Sequence, residues 1–107
     1  MAVTRKTLRM NTNNSYSVSY EQIAYKGLGD IRDISVTGMK IQTLDKIEPG
    51  AIKIQFKLPS FENKQTVHGT VVWVNENKFT SGINFHVIDE QLEKSIQQYL
   101  IKKISSF

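Results

Sequence analysis

Apolar and polar residues alternate with period two along most of this chain. Tyr16, Val18 and Tyr20 alternate with Ser15, Ser17 and Ser19, the signal of a strand with one buried face. Leu28–Ser35 reads as a second strand and Met39–Leu44 as a third, with Met39 and Ile41 set against Lys40 and Gln42. Ala51–Leu58 carries the clearest pattern: Ile52, Ile54, Phe56 and Leu58 alternate with Lys53, Gln55 and Lys57. Val67–Val74 is rich in β-branched residues, and Phe79–Val87 returns beside it. Turn residues separate the segments: Lys26–Gly27, Thr37–Gly38, Pro49–Gly50, the loop Pro59–Lys64 and the hairpin turn Asn75–Lys78. After Val87 the period changes. Asp89 suits a helix N-cap. Leu92, Ile96, Tyr99 and Leu100 then fall at i, i+4, i+7 and i+8, one face of a helix, and Glu90 and Lys94 form an i,i+4 pair in the favourable order.

Six short strands joined by short connections favour antiparallel pairing, and a small antiparallel sheet closes on itself to remove its edges. The pattern therefore predicts an all-β fold, a six-stranded antiparallel β-barrel with a C-terminal α-helix covering one end or face. One local break stands out. Ile31 and Ile34 are three residues apart, so alternation fails around Arg32–Asp33 and a bulge is expected there. Residues 1–14 are polar and without period and read as a flexible N-terminal leader; residues 15–107 then form the barrel and its helix.

Composition narrows the function. A chain of 107 residues supports one domain. With 14 Lys and Arg against 10 Asp and Glu, the net charge of +4 is mildly basic and does not by itself call for a nucleic-acid partner. The absence of cysteine excludes disulfides, thiolate metal sites and a cysteine nucleophile. The longest apolar run, Val71–Val74, is far too short to span a bilayer. Met1–Met10 lacks the apolar stretch of a secretory signal. A cytoplasmic location is the expectation. Enzyme signatures are missing. His68 and His86 have no metal-ligand spacing, Gly27 and Gly29 give only GxG, and Ser35 has no base near it in sequence. Neither catalysis nor a cofactor is expected.

Two motifs remain. Arg5-Lys6-Thr7-Leu8-Arg9 is an RxxxR in a segment free of acids. Guanidinium groups grip phosphates and the O6/N7 edge of guanine in bidentate fashion. Asp33-Ile34-Ser35-Val36-Thr37-Gly38 is a DxSxxG. On a strand, Asp33 and Ser35 project from one face roughly 6–7 Å apart. A carboxylate can accept from the N–H groups of guanine, a hydroxyl can add a bond, and Gly38 permits a tight turn or a close backbone approach. The same hexamer also suits a strand that ends in a polar turn. Trp73 and Tyr16 offer stacking surfaces, although interior packing is the expected role of each.

An RxxxR followed after 23 residues by a DxSxxG on a short β-rich chain resembles the PilZ domain family. Pro49-Gly50 before the strand Ile52–Leu58, Gly69-Thr70-Val71-Val72-Trp73, Gly82-Ile83-Asn84-Phe85 and the closing helix through Leu92, Tyr99 and Leu100 extend the likeness over residues 5–104. The resemblance implies a six-stranded barrel with a C-terminal helix and a bacterial receptor for cyclic di-GMP. Arg5 and Arg9 would hold phosphates and guanine edges, Asp33 and Ser35 would bond a guanine, and Gly38 would shape the turn below it. Thr4 stands where a third arginine would precede Arg5, which leaves one bound ligand or a stacked pair open. Ligand binding would order the leader, and the changed surface would signal to a downstream protein that the sequence does not identify. The alternative within the family is a protein-interaction module that binds no nucleotide. A basic barrel for single-stranded nucleic acid is disfavoured, because such surfaces interleave aromatic and basic residues along their strands.

Overall fold

A computed structural model describes residues 10–59, 61 and 63–105. Six strands precede one helix: β1 (Met10–Glu21), β2 (Lys26–Ile34), β3 (Gly38–Thr43), β4 (Gly50–Phe56), β5 (Gln65–Asn75), β6 (Thr80–Phe85) and α1 (Glu90–Ser105). All neighbours are antiparallel. The order β1-β2-β3-β6-β5-β4 closes through β1 and β4 into a barrel, as the alternation predicts.

The apolar half of each alternating pattern fills the interior. Val18, Ile31, Ile34, Met39, Ile41, Ile54, Phe56, Val71 and Ile83 are buried in one cluster. Leu92, Ile96, Tyr99 and Leu100 of α1 join that cluster, so the helix stripe seals the same core rather than building a second one. Tyr16 meets Tyr99 edge to face, ring centroids 5.8 Å apart, and Phe56 packs on both Phe61 and Phe85.

Three departures from simple alternation matter. First, β1 starts at Met10, six residues before Tyr16. Met10 pairs with Ile34 and Asn11 with Asp33, but the next pair is Tyr16 with Ile31. Four residues, 12–15, thus stand against Arg32 alone, and this irregularity erases the period that would have marked the strand. Second, Ile31 pairs with Ile41 and Asp33 with Lys40, which leaves Arg32 as the extra residue of the expected bulge. Third, β5 carries its own bulge: Val71 pairs with Ile83 and Trp73 with Gly82, so Val72 is extra. That slip turns Trp73 outward and leaves it 43% exposed, against the interior role expected for it.

Candidate functional site

Asp33 sits on the β2 bulge, and the turn that follows fixes its neighbours. Ser35, Val36 and Thr37 connect β2 to β3, with Val36 and Thr37 at the tip of the turn. The Ser35 N–H donates to the Gly38 carbonyl at 2.8 Å, and the Phe85 N–H donates to the Thr37 carbonyl at 2.8 Å, tying the turn to the end of β6. Pairing then runs back from the turn, Ile34 to Met39 and Asp33 to Lys40. Gly38 is required for proximity: a Cβ there would enter the backbone carbonyl of Ile83 on β6.

The Ser35 hydroxyl serves the turn. It accepts the Thr37 N–H at 3.2 Å and meets the Thr37 hydroxyl at 3.0 Å, an arrangement typical of Ser in tight turns. Ser35 is 1% exposed and Asp33 is 8% exposed. The Asp33 carboxylate oxygen Oδ2 lies 3.6 Å from the Lys40 ammonium, whose side chain is 37% exposed.

Register extends this pair into a row. Asp33 of β2 stands opposite Lys40 of β3, Lys40 opposite Gly82 of β6, and Gly82 opposite Trp73 of β5. Across three strand spacings the row spans about 14 Å. Gly82 has no side chain to fill its place, and the Trp73 indole lies over it, so closely that a Cβ at Gly82 would collide with Nε1. An acid, a base and an aromatic ring are therefore set side by side on the barrel wall, with Arg32 exposed next to Asp33.

Of the residues singled out from sequence, Asp33, Ser35 and Gly38 come together at this turn. Arg5 and Arg9 lie outside the described residues. Met10, which follows Arg9 in sequence, pairs with Ile34 inside the DxSxxG motif. Lys40 escaped the sequence reading. A two-residue turn at Val36–Thr37 would have paired positions 33 and 40 and so revealed it. Among the described residues no group of three or more His, Asp and Glu could hold a metal ion, and no helix is long and apolar enough to cross a membrane.

The family model of the PilZ domain matches residues 4–102, a span that takes in both motifs and the whole barrel. The chain belongs to the PilZ domain family. These domains are receptor and adaptor modules connected with cyclic di-GMP signalling. Solved PilZ structures share the fold. The PilZ domain with c-di-GMP of YcgR from Escherichia coli is similar at TM-score 0.71 and 10% identity, over 94% of this chain and 91% of that one. The complex of YcgR with c-di-GMP from Escherichia coli gives 0.75 at 13% identity, over 95% and 46%. The Bacillus subtilis inhibitor of motility MotI/DgrA gives 0.73 at 15% identity, over 95% and 52%. This PilZ domain thus spans about half the length of the latter two chains. No curated protein matches it by sequence.

Proposed function

We propose that this PilZ domain is a bacterial, cytoplasmic receptor for cyclic di-GMP that acts without catalysis, through a change in its surface that a partner protein reads. The observation that carries this reading is a register: Met10 and Asn11, which follow the RxxxR in sequence, pair with Ile34 and Asp33 of the DxSxxG strand. Asp33 accepts the N–H groups of one guanine. Arg5 and Arg9 supply cations for the phosphates and for the O6/N7 edges. Ser35 and Gly38 hold the turn that presents Asp33. The YcgR domain of the same fold was solved with c-di-GMP bound, which supports the ligand class.

Several charge-assisted bonds at about 1.5–3 kcal/mol each work against the conformational entropy lost on binding, about 1–2 kcal/mol for each backbone residue that becomes fixed. The expected outcome is binding in the micromolar range or tighter, about −8 kcal/mol or below. Titration calorimetry of the wild type, Arg9→Ala and Asp33→Ala tests it. Binding by the wild type and none measurable for either folded variant is expected; unchanged affinity in both variants defeats the assignment of those residues.

One observation favours a second reading, a PilZ interaction module that binds no nucleotide. Ser35 is sealed and its hydroxyl is spent within the turn. On that reading the wild-type titration is flat, while the fold and any protein partner are retained.

A further inference from the structure

We infer that Lys40 is an exchangeable counter-ion: it holds the Asp33 carboxylate until guanine takes that carboxylate, and then passes to a ligand phosphate. The inference rests on the cyclic di-GMP reading above and adds to it a residue outside both motifs.

Asp33 is the less exposed partner of the pair. Its side chain is 11% exposed, and Oδ2 faces the Lys40 ammonium at 3.6 Å. A carboxylate so far removed from water needs a compensating cation, and Lys40 contributes one. At 3.6 Å the contact is electrostatic and lies beyond the range of a short charge-assisted hydrogen bond, so it separates readily. Guanine presents two adjacent N–H donors, and a carboxylate that receives both has no need of the ammonium. The released cation is not stranded. Lysine carries its charge on a flexible four-carbon stem, and the Lys40 side chain is already 37% exposed. A guanine seated on Asp33 brings its attached phosphate into this sweep. Binding then trades a long ion pair for a short one, and the second is the stronger.

The exchange predicts a sign. If Lys40 merely blocked Asp33, neutralising it would tighten binding. If Lys40 passes to phosphate, neutralising it weakens binding and lowers the sensitivity to salt, because one ion pair with the ligand is lost.

The test is calorimetric titration of cyclic di-GMP into the wild type, Lys40→Met, Lys40→Gln and Lys40→Arg at several salt concentrations, with a melting curve for each. Both neutral variants are expected to bind about tenfold more weakly. The slope of log affinity against log salt should be shallower by about one, and Lys40→Arg should restore the slope. Wild-type binding with a neutral variant of equal or higher affinity and unchanged slope overturns the exchange and leaves the receptor reading standing. A wild type that is folded and binds nothing overturns both.

Discussion

Gly82 stands where a methyl group would enter the Trp73 indole. The missing side chain lets an aromatic ring lie over the place next in register to Lys40, although the ring belongs to the bulged strand β5. Gly82→Ala is therefore expected to expel the indole. Overpacking of this kind costs about 1–3 kcal/mol, read as a lower denaturation midpoint, with a shift in the emission of Trp73, the sole tryptophan. A variant with native emission and native stability would contradict the packing described here. Gly38 obeys a harsher version of the same rule, because the group it would strike is backbone, the Ile83 carbonyl, and cannot swing away.

At the scale of elements, α1 depends on its first turn. The Leu92 N–H donates to Asp89 Oδ1 at 2.7 Å and the Glu93 N–H to the Asp89 carbonyl at 3.0 Å. Asp89→Ala removes the cap and should cost about 1 kcal/mol, measured by equilibrium denaturation; Asp89→Ser should recover most of it. This cap was legible in the sequence, and so were the helix stripe, the six strands and the bulge at Arg32–Asp33. Each leaves a local periodic trace. The start of β1 was not legible, since residues 12–15 oppose a single partner and no period survives. Trp73 was misread for a related reason: one extra residue, Val72, reverses the inside-outside order. The end of the β5–β6 turn was also hidden. Phe79 takes a left-handed backbone, φ 57°, at a position that glycine or asparagine usually marks. The DxSxxG motif could be read from sequence, but its partner Lys40 is a product of register, and register is a property of two strands together.

For the molecule as a whole, the core contains ionisable groups that answer to alkali. Burial, and then the neighbouring Tyr16 hydroxyl, push the Tyr99 phenol well above the ordinary tyrosine value of 10.0. Tyr20 moves the same way, through burial first and then Asp45. Each phenol is held in its neutral form by the fold. Below about pH 10 both the folded and unfolded chains keep these protons and the stability is intact. Above it the unfolded chain loses them first, so it binds fewer protons than the native state and stability falls as pH rises. Denaturation midpoints measured from pH 8 to 11 should decline above about pH 10, and Tyr99→Phe should flatten that decline. An equally steep decline in Tyr99→Phe would rule out the buried phenol as its source.

The closed ring of strands also limits how any protein can recognise this domain. Each strand has a hydrogen-bonded neighbour on both sides, so among the described residues no strand offers a free edge along its whole length to a docking peptide, the mode open-edged folds offer. Recognition must be written in side chains, loop tips or the helix, and so a single substitution on the wall can erase one client without touching the scaffold.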